Sequence, residues 1–182
     1  MFISGLLFLC SCTFCAQCTD GHHYRQDVLY LGRRFPIGEK RLQKELGPPP
    51  KASSKAVSRS MKSNRAKNTS PELALRSALA AARIRGYRIH KKGVPGRPDI
   101  LFPKRRLAVF VNGCYWHRCS VCALPIPKTH PEFWKKKFEL NARRDSRKLE
   151  ELEAGGWRVL TIWEHEVRED LAGCVERIKR AL

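Results

Sequence analysis

Acidic residues are scarce in this chain of 182 residues, which carries 17 Asp and Glu against 36 Lys and Arg. The resulting formal charge of +19 opposes compaction by self-repulsion, and binding a polyanion relieves that repulsion. Nucleic acid is therefore the first candidate partner, and an anionic membrane surface is the second. With 42% hydrophobic residues, 12 Gly and 11 Pro, the composition argues against a wholly disordered chain and excludes a collagen-like one.

The most apolar stretch, residues 2–18, lacks the features of a membrane span or a secretory signal. It is too short to cross a bilayer as a helix. No Lys or Arg precedes its apolar run, so the positively charged start of a secretory signal is missing. The four cysteines between Cys10 and Cys18 match no metal-binding spacing. We therefore expect a cytoplasmic protein without a membrane partner, and secretion is the weaker alternative.

The composition changes near Met61. Residues 32–60 are basic and rich in Gly, Pro and Ser, which is typical of a linker or a disordered segment. Met61 is an internal methionine just before the first clear helix signal, so residues 1–60 are expected to be disordered or to precede the true start. A targeting segment and a small Cys/His element remain alternatives for this stretch. Residues 61–182 are expected to form one domain, which holds most of the excess positive charge.

Helix and strand signals after residue 61 predict the order α-β-β-β-α-β-α. Thr69 and Glu72 can form a capping box at the start of a helix that reaches about Ile84. Two apolar strands separated by a short turn predict an antiparallel pair. The remaining predicted elements, in chain order, are an extended piece at 87–90, strands at 99–103 and 107–111, a helix at 131–154, a strand at 157–163 and a helix at 166–181. This order predicts an α/β fold with a mixed sheet covered by helices on both faces.

Three cysteines in one loop predict a metal site. Cys114, Cys119 and Cys122 lie within nine residues, and in a reducing compartment such clusters bind zinc more often than they form disulfides. A structural zinc site needs four ligands. The candidates for the fourth ligand are His117, His130, His165 and Cys174. We prefer His165, which follows the strand at 157–163, and three ordinary buried thiols are the alternative.

Acidic residues and histidines near the strand ends suggest hydrolytic chemistry. Asp99 begins an apolar strand, a position that suits a Mg²⁺ ligand, and the carbonyl group of Val111 could supply a second oxygen. Glu72 could hold a metal-bound water, and His117 could accept a proton from the attacking water. Each residue also has a structural alternative: Asp99 could cap a turn, Glu72 could serve only in the capping box, and His117 could satisfy an ordinary hydrogen bond.

Four motifs, taken together and in this order, resemble the very short patch repair (Vsr) endonucleases. They are Pro95-Gly-Arg-Pro-Asp-Ile100, Val109-Phe-Val-Asn-Gly-Cys-Tyr-Trp-His117, Glu132-Phe-Trp134 and Gly156-Trp-Arg-Val-Leu-Thr-Ile-Trp-Glu164. The resemblance extends from about residue 61 to about residue 168. It implies a restriction-endonuclease-like core with structural Zn²⁺, and Mg²⁺-dependent nicking of double-stranded DNA 5′ to the T of a G·T mismatch. It also implies a monomer that could work with other mismatch-repair proteins.

The resemblance assigns roles to the same acidic and histidine residues. It implies that Asp99 binds the metal together with the main-chain carbonyl of Val111, that His117 is the general base and that Glu72 is a supporting acid. Asn112 stands where some members have a histidine, so a second histidine role is open. Cys119 replaces a histidine of the family's zinc set, and His165 replaces a cysteine, so four zinc donors remain.

The resemblance further implies how DNA is bound. Aromatic residues at Tyr115, Trp116 and Trp134, with a methionine wedge at Met61, would insert beside the mismatch and unstack the duplex. Lys137 and Asn141 would contact bases or backbone. Lys and Arg side chains of the long helix would bind phosphates, which supplies affinity without sequence information. Core packing is the alternative role for the aromatic residues.

Two other functions fit the same sequence features. A zinc-stabilised DNA-binding module without catalysis would keep the charge, the cysteines and the tryptophans, but it would not need Asp99 and His117. A nuclease of the same fold with a different DNA specificity would need all of them.

Overall fold

A four-stranded mixed sheet organises residues 46–65 and 67–182, which are the part of the chain described by the computed structural model. The strands lie in the order β1-β2-β3-β4. The elements are α1 (Lys55–Ser63), α2 (Ser70–Ala81), β1 (Arg88–Ile89), β2 (Ile100–Phe102), β3 (Leu107–Asn112), α3 (Pro131–Ala154), β4 (Arg158–Trp163), α4 (Glu164–Glu169) and α5 (Leu171–Ala181). All described residues belong to one compact unit.

Strands β2 and β3 form the antiparallel pair that the sequence predicts, with Ile100 opposite Val109. A short 3-10 turn, Pro103–Arg105, joins them, and Arg106 after it adopts a left-handed conformation. Strand β1 also pairs with β2 in an antiparallel direction, so Ile89 lies opposite Ile100. These pairings bring the end of β1 beside the beginning of β2.

Strands β3 and β4 are parallel, and helix α3 connects them. Parallel neighbours need such a crossover connection. Helix α3 has 24 residues and is the longest described helix, but it is rich in charged residues. None of the helices in the described ranges is both long and apolar enough to cross a membrane.

Hydrophobic residues lie on both faces of the sheet, as expected for strands that are covered by helices on each side. On one face, Ile100 and Val109 pack with Leu75 and Leu79 of α2 and with Ile178 of α5. On the other face, the alternate residues Leu101 and Ala108 pack with Leu152 of α3. The predicted mixed sheet with helices on both faces is confirmed.

The structure corrects two predicted helices. The helix predicted at 166–181 is two helices, because Asp170 leaves the helical conformation and its carboxylate accepts a hydrogen bond from the N–H of Gly173 at the start of α5. Helix α2 ends at Ala81, three residues before the predicted end near Ile84.

The structure also contains a helix that the composition did not indicate. Helix α1 is capped by the hydroxyl of Ser54 and crosses position 61, and none of its residues is buried. The predictions for residues 1–45 concern a part of the chain that lies outside the described residues, and the domain boundary near Met61 stays a prediction.

Candidate active site and candidate metal centre

Two carboxylates and an imidazole converge where β1 ends and β2 begins. The register of these strands carries His90 to a position beside Asp99. Helix α2 contributes Glu72, which is only 5% exposed. The distance from His90 Nδ1 to Asp99 Oδ1 is 3.8 Å, and that from His90 Nε2 to Glu72 Oε2 is 3.5 Å. Ligand atoms of the three residues lie within 4.8 Å of one another, so the group could hold a metal ion.

The environment of Asp99 disfavours its negative charge. Burial raises the pKa of its carboxyl group, and the charge of Glu72 acts in the same direction. The N–H of Val111, which donates to Asp99 Oδ2 over 2.8 Å, opposes this shift, as do the charges of His90 and His117, without reversing it. A bound cation would stabilise the ionised form of Asp99 in this position.

Glu72 performs the capping role that the sequence predicts. Its carboxylate accepts hydrogen bonds from the N–H of Asn68, at 3.0 Å, and from the N–H and hydroxyl of Thr69, at 3.3 and 2.8 Å. The same oxygen that binds Asn68 also faces His90. Glu72 is therefore fixed at the start of α2 and turned towards the cluster at the same time.

His117 is paired with an aspartate that the sequence did not reveal. Its Nδ1 atom lies 2.5 Å from Asp145 Oδ2, and Asp145 Oδ1 also accepts a hydrogen bond from Lys148. Although burial raises the pKa of Asp145, the hydrogen bond and charge of His117, together with Lys148, lower it overall. Because Asp145 is 28 residues away on α3, only tertiary contact connects the two.

The loop between β3 and α3 is held by its own backbone and by α3. Its N–H groups at His117 and Cys119 donate to the carbonyl groups of Gly113 and Cys114. The side-chain amide of Asn141 donates to the carbonyl of Trp116 over 3.1 Å. Asn141, which the resemblance implied to contact DNA, thus positions this loop in the structure.

The three cysteines of this loop meet His165, as the sequence predicts. The Sγ atoms of Cys114 and Cys119 lie 3.3 and 3.5 Å from His165 Nδ1, and Cys122 completes a group whose ligand atoms are all within 4.8 Å. Helix α4 begins directly after β4 and carries His165 into this buried position. The other candidate ligands are elsewhere: His117 pairs with Asp145, His130 is exposed and Cys174 lies in the hydrophobic core.

Three thiols and one imidazole match the donor set that Zn²⁺ prefers. Burial raises the pKa of Cys114 to about 12 and also raises that of Cys122, and the neighbouring thiol of Cys119 adds to both shifts. A metal ion removes this penalty because a coordinating thiol is deprotonated. The group could therefore hold a metal, and its donors fit zinc.

An aromatic cluster lies between the loop and α3. Tyr115 makes edge-on contacts with Trp116 and Phe138, at centroid distances of 5.1 and 5.3 Å. Trp134 packs against Trp116 and Phe138 and is 9% exposed. Tyr115 and Trp116 remain half-buried. In this structure Trp134 packs as a core residue, so it could reach DNA only if the cluster opened.

The structure places the remaining predicted DNA contacts on two separate helices. Met61 is half-buried on α1, whereas Lys137 is half-buried on α3. Burial lowers the pKa of Lys137, and the charge of Arg144 adds to this effect. Asn112, the last residue of β3, is half-buried and directly precedes the loop.

One end of the mixed sheet carries two carboxylates, two imidazoles and a basic helix. These groups define a hydrolytic site that can act on an anionic phosphodiester. Comparison with known proteins identifies the family. The family model described as "DNA mismatch endonuclease Vsr" matches residues 51–123, which include Glu72, Asp99 and His117.

Several bacterial enzymes are similar to this chain over most of their length. The type II nicking enzyme V.XorIIP of Xanthomonas oryzae pv. oryzae is 43% identical over 122 residues, which are 67% of this chain and 88% of the relative. The type II nicking enzyme V.NaeI of Lentzea aerocolonigenes is 42% identical, over 65% of this chain and 73% of the relative. DNA mismatch endonuclease Vsr of Escherichia coli is 34% identical, over 61% of this chain and 70% of the relative. The chain belongs to the Vsr family of DNA endonucleases.

Proposed function

We propose that this endonuclease nicks double-stranded DNA 5′ to the T of a G·T mismatch, in a reaction that depends on Mg²⁺. The convergence of Glu72, His90 and Asp99 within 4.8 Å carries this proposal. A buried and a half-buried carboxylate in a strongly basic chain are suited to bring a cation and a phosphate together. The name of the Escherichia coli relative, a DNA mismatch endonuclease, supports mismatched DNA as the substrate.

Asp99 and the carbonyl of Val111 would hold the Mg²⁺. The N–H of Val111 points to Asp99, and in a β-strand the N–H and C=O groups of one residue point to the same edge, so this carbonyl also faces the site. Mg²⁺ commonly binds through one or two carboxylates and substrate phosphates, and it would supply charge stabilisation to the phosphate. The residues therefore fit the ion that the family resemblance implies.

His117 would take the proton from the attacking water. Its Nδ1 is engaged by Asp145, so its Nε2 can accept the proton. Asp145 would orient the ring and stabilise the imidazolium that forms, as a carboxylate does in other histidine pairs. Lys148, bonded to the other oxygen of Asp145, keeps that carboxylate in place.

The thiol cluster would hold a structural Zn²⁺ that fixes the loop. Cys114 and Cys119 flank the segment that carries Tyr115, Trp116 and His117, so their anchorage to His165 would hold both the aromatic residues and the base. Tyr115 and Trp116 are the half-buried aromatic residues of this loop. They are better placed than Trp134 to insert beside a mismatch. The protein would act as a monomer in the cytoplasm, where bacterial DNA is found, with other repair proteins as possible partners.

A nicking assay tests the proposal. Duplexes of one sequence, differing only in a G·T, G·C or other mismatched pair, are incubated with the protein with and without Mg²⁺. We expect one nick in the T-containing strand of the G·T duplex, only with Mg²⁺. Asp99→Asn should remove this activity, whereas Glu150→Gln, an exposed acidic residue of α3, should not. Equal nicking by Asp99→Asn would refute the mechanism.

Nicking with another specificity is the second candidate function, because several relatives are named type II nicking enzymes. Preferential cleavage of another mismatch or of a matched duplex in the same assay would favour it. Binding of the G·T duplex without cleavage under any condition would favour a DNA-binding module.

A further inference from the structure

The position of His90 between two carboxylates has a consequence for the metal site. Its two ring nitrogens face different partners, with Nδ1 3.8 Å from Asp99 Oδ1 and Nε2 3.5 Å from Glu72 Oε2. The Nε2 atom is buried and has no hydrogen-bond partner within normal distance among the described residues. A buried polar atom without a partner is costly, and the Glu72 carboxylate 3.5 Å away is an acceptor that could satisfy it after a small shift.

The two carboxylates are not equivalent in their hydrogen bonding. Glu72 accepts three hydrogen bonds from Asn68 and Thr69, which fix its position. Asp99 uses Oδ2 to accept the N–H of Val111, and its Oδ1 is the oxygen that faces the imidazole. Glu72 therefore suits the role of a fixed hydrogen-bond acceptor, and Asp99 Oδ1 suits that of a metal ligand.

We propose that His90 binds the catalytic divalent ion through Nδ1, together with Asp99 Oδ1, and that Glu72 orients the ring by accepting its Nε2–H. This inference rests on the proposed metal-dependent function. Metal-bound histidines usually donate their other ring N–H to a carboxylate, which fixes the ring and its tautomer. Two atoms that each bind one ion at about 2.1 Å can be at most about 4.2 Å apart, and the separation of 3.8 Å meets this limit.

This ligand set changes the expected preference among divalent ions. Oxygen ligands suit both Mg²⁺ and Mn²⁺, whereas an added imidazole ligand raises the affinity for first-row transition metals, of which Mn²⁺ is the weakest binder, relative to Mg²⁺. Glu72 thereby acquires a second role besides capping, as a positioning residue for His90. The site would accept Mg²⁺ and bind Mn²⁺ more tightly.

Pulsed electron paramagnetic resonance of Mn²⁺ bound to the full chain, with its thiol cluster left loaded as purified, tests the proposal directly. We expect a nitrogen coupling from a directly bound imidazole in the wild type. His90→Gln should remove this coupling and weaken Mn²⁺ binding by about 10-fold or more, with a smaller effect on Mg²⁺. His130→Gln, which changes an exposed histidine at the start of α3, should leave both unchanged.

The Glu72→Gln variant tests whether Glu72 orients the His90 ring, separately from whether His90 binds the ion. A glutamine can keep the capping box, but its amide would present a donor to His90 and to the N–H of Asn68. We expect Mn²⁺ affinity to fall by about 10-fold to 100-fold, the range known for such outer contacts. Unchanged affinity in a folded Glu72→Gln protein would remove Glu72 from the proposed arrangement.

Other outcomes would overturn the proposal. Lack of nitrogen coupling in the wild type, lack of Mn²⁺ binding, or coupling that persists in His90→Gln would each show that His90 is not a ligand. A His90→Gln protein that loses only thermal stability would assign the ring a structural bridging role. Failure of G·T nicking with the nitrogen coupling present would instead refute the proposed substrate and leave the ligand assignment intact.

Discussion

The Nδ1 atom of His117 lies 2.5 Å from a carboxylate oxygen of Asp145, and this contact joins the loop after β3 to helix α3. It determines which ring nitrogen of His117 is available to accept a proton. The side chain of Asn141 also donates a hydrogen bond to the carbonyl of Trp116. The loop is therefore attached to α3 at Asn141 and at Asp145, which lie one turn apart on that helix.

Replacing Asp145 with Asn should therefore affect catalysis more than DNA binding. We expect the nicking rate constant to fall by about 100-fold or more, because the amide can orient the wrong tautomer of His117 and cannot stabilise its charged form. Single-turnover nicking measures the rate, and binding of the uncut duplex is measured separately. A proportional loss of affinity, with the rate unchanged, would contradict the role assigned to Asp145. Glu150→Gln on the same helix is the control.

The stability of the fold should depend on the ionisation of Asp145. Its pKa is held below the ordinary value because the bond and charge of His117, with Lys148, outweigh the effect of burial. A group whose pKa is lower in the folded state stabilises that state fully above its unfolded pKa of about 3.9, and it loses this effect as the pH falls through the folded pKa. Urea unfolding measures the free energy of unfolding. The excess of the wild-type value over that of Asp145→Asn should therefore shrink between pH 6 and pH 3. A difference in unfolding free energy that does not change with pH would show that ionisation of Asp145 does not cause it.

Zinc removal should loosen the loop and destabilise the domain. We expect one equivalent of zinc per chain, and loss of that zinc in Cys119→Ser. The cost in unfolding free energy should exceed about 3 kcal/mol, because structural zinc in small peptides contributes about 10–16 kcal/mol. Cys174→Ala is the matched control: it removes a buried thiol outside the cluster, so zinc should be retained. Metal analysis and thermal unfolding measure both effects, and full zinc content in Cys119→Ser would exclude the site.

Substitutions of Trp134 and Trp116 should affect different properties, the first the stability of the fold and the second the recognition of a mismatch. Trp134→Ala should cost about 3–5 kcal/mol of stability, as expected for a buried aromatic residue. Trp116→Ala should cost less and should reduce the preference for G·T over G·C duplexes. Unfolding and competition binding measure these effects. If Trp134→Ala left stability intact and abolished discrimination, Trp134 would be the inserted residue.

Gly96 should resist substitution because its backbone is left-handed and Lys148 lies against it. Its φ is +70°, and an added Cβ would come within 3.1 Å of the Lys148 side chain. We expect Gly96→Ala to cost about 1–2 kcal/mol from the backbone alone, and more from the contact. Gly86→Ala, with φ +84° and no atom within 4 Å, shows the backbone cost by itself. Equal urea unfolding of the two variants would mean that the contact has no effect.

Local sequence signals predicted most of the sheet and the long helix. The turn after Phe102 and the continuous apolar run at Leu107 predicted the β2–β3 pair, and the helix predicted at 131–154 has the same bounds as α3. These predictions succeed because pairing across a short turn and helix capping depend on neighbouring residues. The break at Asp170 was missed because apolar residues before and after it share a helical spacing.

The sequence by itself determined the residues that could react: the cysteines and His165, whose types and spacing indicate a metal site, and Asp99, whose place at the start of a buried strand is unusual for a charged group. Only the tertiary structure decided that His90 meets Asp99 and that Asp145 meets His117. The first contact depends on the register of β1 against β2, and the second on how α3 lies over the loop. Neither is encoded in local spacing, because strand register and helix packing are fixed by burial over the whole core.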